Sequence, residues 1–476
     1  MKRFGREYLY GGTGQRRSSR RRVWIGGALA ACLWLALSAG AIGAAGAGPA
    51  LPDGAAEPGK VFRQVLDNGL TVLVKPNAAN EVVAVKLFLR MGVFYEPPEQ
   101  RGISILMQKL LTRGTAARTA AQIDEQTEAV GATLQAGTEG NDYGAVTLST
   151  TLAGLDRSLA VFLDAVQNPT FPEAELAKER RMTLDRLAAS GDQPANGAYA
   201  NYIKLFYGDL PYGTTPADYA KNIAGLSRAQ LYDWYRKVYV PNNMVLTIVG
   251  KVDPAALMAR IAGNLGSLPA GQPLPPAQPA APALEREREI FTARPTQAYF
   301  IILGYPAPAL RSADEPAMEV LHWILGGGGM ASRLFSRLRD QQGLAYTVST
   351  QYAPNEGPSN LFAFMATAPA NLAAAKAGLI AEFERLRSEP VSAAELAAAQ
   401  KAVRGSYLVR HERNAAQGDF LGRYELLGLG YDYDQRYPEL IDRVTAADLQ
   451  RMAQKYFSHY VLSVVGPQPG PERKEP

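Results

Sequence analysis

Residues 102–115, GISILMQKLLTRGT, have the outline of a helical metal site whose donors are replaced by other chemistry. Ile103, Leu106, Met107, Leu110 and Leu111 recur at i, i+3, i+4, i+7 and i+8, so one face of this helix packs on a core. Ile105, Gln108, Lys109 and Thr112 make up the other face. An inverted zinc motif, H-x-x-E-H, would place its two histidine ligands at 105 and 109 and its glutamate base at 108. Ile105 has no lone pair to donate, and Lys109 is an ammonium that repels a dication. Gln108 cannot take a proton from a metal-bound water. The chain has three histidines, His322, His411 and His459, and no two are spaced as a helical ligand pair. A catalytic zinc needs three protein ligands and an open position.

Two further features invite a chemical reading. Gly326–Gly329 lacks the Gly-Lys-Ser/Thr ending of a phosphate loop, so a hinge or a close backbone approach is expected there. His322 stands alone on an apolar helix and is expected to be structural.

The basic balance of the chain belongs to its leader. Residues 1–22 hold eight Lys or Arg against one acid, Glu7, while the whole chain is +5, so the remainder is slightly acidic. The folded part therefore gives no support for nucleic-acid binding. No charge occurs from Val23 to Pro52. A basic start, an apolar run and small residues at Ala45-Gly46-Ala47 read as a bacterial export signal, residues 1–47, with the periplasm or beyond as destination. An uncleaved membrane anchor is the alternative, because the uncharged run is long enough to span a bilayer. Ser19–Trp24 resembles a twin-arginine signal, and Leu29–Cys32 resembles a lipidation box at Cys32, the single cysteine. Chemistry by a mature thiolate or disulfide is excluded.

A Pro/Ala-rich stretch within residues 267–286, LPAGQPLPPAQPAAPAL, breaks both helix and strand. It separates an expected first domain, residues 60–266, from a second, residues 287–470. The two have matching ends. Ser227–Gln230 and Thr445–Asp448 open helices by a capping box, and each helix leads to a β-rich run, MVLTIVG at 244–250 and YVLSVVG at 460–466. That is a duplication signature. Strands are expected at 70–75, 82–90, 144–151, 244–249, 298–304, 344–352, 360–366 and 460–465. Helices are expected at 101–112, 119–130, 154–167, 172–188, 227–238, 314–325, 332–340, 371–386, 392–411 and 445–457. The class is α+β, with two similar halves, each an antiparallel sheet covered by helices.

LDNGLTVLV at 66–74, GISILMQKLLTRGT, LPYG at 210–213, YVPNNMVLTIVGKVD at 239–253 and GGGGMASRLFSRLRDQQGLAYTVST at 326–350 together resemble the pitrilysin/insulinase family of metallopeptidases. More narrowly, the chain resembles the half-length, processing-peptidase-like members that pair as subunits. The resemblance implies a clamshell-type dimer around a chamber. It places the third zinc ligand, seventy-seven residues beyond Lys109, at Arg186, and a second family glutamate at Glu179. All four degenerate positions, Ile105, Gln108, Lys109 and Arg186, therefore lack the family's chemistry. Lys109 and Arg186 are either solvated charges or fixed cations paired with Glu179 where a metal would sit. The resemblance also gives Arg339 and Tyr346, seven apart, the role of substrate-binding groups opposite the zinc. The guanidinium offers a planar fork to a carbonyl or carboxylate, and a tyrosine hydroxyl can donate to a developing oxyanion. The alternative is a helix-capping Arg and a strand-forming Tyr.

These readings converge on an exported, metal-free subunit of a heterodimeric metallopeptidase. A homologous partner would carry an intact motif and the zinc, and this chain would position an unfolded peptide. The rival reading is a structural scaffold or peptide-binding protein with no part in proteolysis.

Overall fold

A computed structural model describes residues 59–277 and 284–468. The expected leader, residues 1–47 with Cys32, lies outside them. The first half runs β1 (Phe62–Val65), β2 (Thr71–Pro76), β3 (Val82–Arg90), α1 (Ile103–Leu111), α2 (Ala120–Glu128), β4 (Thr133–Thr138), β5 (Tyr143–Thr151), α3 (Leu155–Gln167), α4 (Glu173–Gly191), α5 (Pro194–Tyr207), α6 (Pro216–Gly225), α7 (Arg228–Val238), β6 (Met244–Gly250) and α8 (Pro254–Leu265). The second runs β7 (Arg288–Ala293), β8 (Tyr299–Ala307), α9 (Glu315–His322), β9 (Thr347–Tyr352), β10 (Ser359–Thr367), α10 (Leu372–Ser388), α11 (Ala393–Arg410), α12 (Asn414–Leu426), α13 (Tyr433–Asp442), α14 (Ala446–Tyr456) and β11 (Val461–Gly466).

The duplication read from the helix–strand endings is present in the sheet plan. The strand orders are β1-β2-β6-β3-β5-β4 and β7-β11-β8-β10-β9. With β1 set aside, β2 to β6 correspond to β7 to β11 in order and direction. Each sheet is antiparallel except for one parallel pair, β2 with β6 and β7 with β11. Both capping boxes form, at Ser227 with Gln230 and at Thr445 with Asp448. The expected helix at 332–340 instead holds a π-helical run, Phe335–Gln341, and a second follows α9 at Trp323–Gly327. Strands β1, β4 and β7 and helices α5, α6, α8, α12 and α13 lie where no element was expected.

Each sheet is buried on both faces, and the two halves cover each other. On β3, Val83, Val85, Leu87 and Leu89 face one core together with α1 and α3. Phe88, on the opposite face, joins Val245 and Val249 of β6 and Leu421 and Leu426 of α12, a helix from the second half. In return α5, from the first half, lays Ala198, Tyr202 and Phe206 against Ile302 of β8 and Val461 and Val465 of β11. This double burial explains why VVAVKLFL is a continuous apolar run rather than an alternating one. Contact is close enough to require glycine. A Cβ at Gly422 of α12 would overlap the Phe88 ring, and one at Gly304 of β8 would overlap Tyr202. Polar bonds pin the crossing of α12: Lys86 Nζ meets Asp419 at 2.6 Å, and Asn414 Nδ2 donates to the Val82 carbonyl at 2.6 Å.

The described part of the Pro/Ala-rich stretch has no helix or strand, as its composition requires. It is nevertheless packed down. Leu274 and Ala277 are buried, the Leu274 N–H donates to Asn243 Oδ1 at 3.3 Å, and Arg311 donates to the Ala277 carbonyl at 3.2 Å.

Gly422→Ala should destabilise the chain by about 2 kcal/mol or more through overpacking at Phe88, despite alanine's better helix propensity. Gly405→Ala, mid-α11 with nothing near its Cβ position, should instead stabilise by roughly 0.5–1 kcal/mol. Urea denaturation of both variants checks the contrast.

Candidate functional site

Helix α1 is held at both ends by the core. Its apolar face, Ile103, Leu106, Met107, Leu110 and Leu111, is fully buried. Its first turn is capped from outside by Glu96, whose carboxylate accepts from the N–H groups of Gly102 at 2.6 Å and Ser104 at 2.9 Å. Burial raises the Glu96 pKa, and the bonds from Ser104 and Gly102 oppose that rise. The Ser104 hydroxyl in turn accepts from the Trp234 indole of α7 at 3.0 Å.

The face expected to be open is largely closed. Gln108 is completely buried. Its Oε1 accepts from Tyr239 at 2.9 Å and its Nε2 reaches Met91 Sδ at 3.1 Å. Sequence spacing had set it apart from the core face, but the rings at the end of α7 cover that side as well. Ile105 and Lys109 remain half-buried, and Thr112 is buried. Lys109 faces α4, which carries Glu179, half-buried, and Arg186, exposed. Burial lowers the Lys109 pKa, Arg186 lowers it further, and Glu179 opposes them. Glu179 forms no ion pair with either cation among the described residues, so the expected paired arrangement is a loose cluster.

These side chains do not fit a zinc ion. One position is a hydrocarbon, two are cations, and the amide at the base position is spent on Tyr239 and Met91. Among the described residues no group of three or more His, Cys, Asp or Glu side chains stands together as a metal site.

The second half presents its pair differently. Three arginines lie in SRLFSRLRD. Arg333 forms a two-pronged contact to Glu395 of α11 at 2.8 and 2.7 Å, and Arg337 meets the buried Glu382 of α10 at 2.8 Å. Both are anchors. Arg339 alone is exposed, its guanidinium 4.5 Å from the centre of the Phe335 ring, with no hydrogen bond or ion pair among the described residues. It lies in the last turn of the Phe335–Gln341 run, where a cation also faces the negative end of the helix dipole. Gly343 at φ 64° ends the run, as expected. Tyr346 precedes β9 rather than lying within it, although its N–H donates to the Ala366 carbonyl at 2.9 Å. It is 66% exposed, which is unusual for a ring beside a sheet. His322 is half-buried with Nδ1 2.8 Å from Thr350 Oγ1, and desolvation pushes its pKa down to about 4. The glycine run approaches neighbours closely: a Cβ on Gly326 would meet the Thr350 backbone, and one on Gly327 the His322 ring.

A polar clasp that the sequence did not announce joins the halves. Arg90 and Tyr95 both bond Glu356, at 2.9 Å each, from the opposite half. Asp142 accepts from the Tyr212 hydroxyl and from the Glu356 N–H, the latter at 2.9 Å. Tyr212 belongs to LPYG, so this is where that motif acts. Arg90, Tyr95 and Asp142 each lie more than two hundred residues from Glu356, beyond the reach of local patterns.

Two domain profiles of one peptidase family match the chain, Insulinase (Peptidase family M16) over residues 71–212 and Peptidase M16 inactive domain over residues 225–403. The chain belongs to the insulinase family, M16. Similar proteins include an uncharacterized zinc protease of Rickettsia bellii, 29% identical with 84% of this chain and 96% of that protein covered. Another, from Mycobacterium leprae, is 26% identical with 87% and 93% covered. In fold, the chain matches the crystal structure of a peptidase M16 inactive domain from Pseudomonas fluorescens, with TM-score 0.79, 23% identity, and 86% of this chain and 98% of that chain covered. The relatives are named zinc proteases; the described residues of this chain offer no metal-binding group.

The Asp142 carboxyl is raised from an ordinary 3.8 to about 6, mainly by burial, with the bonds from Tyr212 and Glu356 opposing. The fold therefore keeps this proton longer than the unfolded chain does. Its favourable contribution is complete below about pH 4 and is lost as pH rises through 6, on the order of 2–3 kcal/mol in total. Asp142→Asn should flatten that part of the pH dependence, read from urea midpoints between pH 4 and 7; an unchanged slope would show that Asp142 is not its source.

Proposed function

We propose that this chain is the exported, zinc-free subunit of a heterodimeric metallopeptidase, binding and orienting peptide for a homologous subunit that holds the zinc. The observation that carries this reading is Arg339. It is the one arginine of its segment left free while Arg333 and Arg337 fix the run that bears it. Tyr346 stands exposed at the entry to β9, an edge strand of the second sheet. The corresponding edge of the first sheet is β4, beside α1. Free strand edges suit an extended peptide, which gains main-chain hydrogen bonds there. With peptide so held, Arg339 would fix a carbonyl or carboxylate, and Tyr346 would donate to the oxygen that becomes negative on the partner's metal. Rate enhancement from this chain comes from orientation and charge stabilisation, without a base or metal of its own.

Export to the periplasm rests on the sequence of residues 1–47. Among the described residues no helix is long and apolar enough to cross a membrane. The burial of Gln108 against Tyr239 also suits a scaffold, because a disused site has been absorbed into the core.

The test is to purify the chain alone and together with any zinc-motif homologue encoded beside it, and to assay a quenched peptide. The reading predicts no cleavage alone, chelator-sensitive cleavage together, and a loss of about 10²-fold in kcat/KM with Arg339→Ala. Unchanged activity in that variant would reduce the chain to a scaffold.

A further inference from the structure

The degenerate face of α1 retains a charge pattern of its own. Lys109 is half-buried yet has no hydrogen bond or ion pair among the described residues, and Arg186, exposed across on α4, has none either. Two cations brought together repel each other, more so where one of them is half-desolvated, and an anion nearby relieves that repulsion. Glu179 supplies one negative charge. Arg113, the next cation along, is already neutralised by Asp124, with both guanidinium nitrogens at 3.2 Å. The cluster of Lys109, Arg186 and Glu179 is thus left at +1, which matches a monoanion better than a phosphate dianion.

A second observation lies between the same residues. Thr183 stands one helical turn from Glu179 and from Arg186, on the face of α4 they share by spacing. It is 2% exposed, and its hydroxyl has no partner. A buried hydroxyl left unbonded costs free energy, and a bound oxygen would remove that cost. Beside α1 runs β4, whose outer edge carries unpaired backbone groups.

We propose that Lys109 and Arg186 bind the C-terminal carboxylate of an extended peptide laid along the free edge of β4. The carboxylate takes the guanidinium fork of Arg186 and the ammonium of Lys109, and the Thr183 hydroxyl donates to it. The strand edge takes the residues before it. Where a metal centre would polarise a carbonyl within a chain, this face holds a finished chain end. The proposal rests on the peptide-binding part of the function proposed above.

The test uses the full chain and a fluorescein-labelled octapeptide of Val, Thr and Ala, read by fluorescence anisotropy. Three forms are compared: a free C-terminal carboxylate, a C-terminal amide, and an amide with one Asp side chain near the end. The free acid should bind at least about tenfold more tightly than either amide, and the advantage should shrink as salt rises. Lys109→Met, which keeps the apolar stem, and Arg186→Gln, at an exposed position, should each remove most of that preference while leaving the amide's affinity unchanged. Equal binding of acid and amide overturns the proposal but leaves peptide binding standing. Equal binding of the Asp-bearing amide and the free acid assigns the cluster to acidic side chains and overturns it as well. Binding of none of the three removes the peptide-binding reading itself. The comparison of peptide forms on the unaltered chain stands even if a variant fails to fold.

Discussion

The structure depends on an exchange of helices. Each half lends one helix to the sheet of the other, α12 to the first and α5 to the second. Sheets buried on both faces need a second cover, and here each takes it from the other half. The exchange works only because backbone meets side chain at Gly422 and Gly304, where no Cβ intervenes. The clasp of Arg90, Glu356, Asp142 and Tyr212 then closes the seam with hydrogen-bonded polar groups that are largely buried. The position of α1 relative to β4, and of Arg339 relative to β9, follows from this frame.

On that frame the two halves have diverged chemically. The first keeps the helix geometry of a metal site but has turned its base position inward and filled its ligand positions with a hydrocarbon and two cations. Glu96 still caps the helix, so loss of the donors has not loosened the element that bore them. The second half holds its surface arginine in the last turn of a π-helical run that is anchored by Arg337 within it and by Arg333 just before it. Such runs place side chains off the usual helical spacing and are frequent at functional sites.

The sequence disclosed what local physics controls. The apolar period of α1, the strand at 82–90 and the two capping boxes are set by nearest neighbours in the chain, and all form. Elements governed by distant partners stayed hidden. Helix α5, PANGAYANYIKLFY, is rich in aromatic residues of weak helix preference, and it exists because Tyr202 and Phe206 are buried on a sheet that begins almost a hundred residues later. Strand β4, TLQAGT, has little apolar content because it is an edge. Helix α8 did carry a signal, Asp253 capping ahead of Pro254 at the first helical position, that the apolar period alone passed over. The inward turn of Gln108 was unreadable for the same reason as α5: the ring of Tyr239, just past the end of α7, and not the period of α1, decides which side is covered.

The exchange of α5 and α12 also sets an order of events during synthesis. The face of β3 and β6 that contains Phe88, Val245 and Val249 is made early, yet its cover, α12, is translated only after most of the second half. Until then a nascent chain carries a finished sheet with one greasy side in water. A chain with this topology completes the core of its first half only near its own end, and until α12 emerges that apolar face is open to wrong partners.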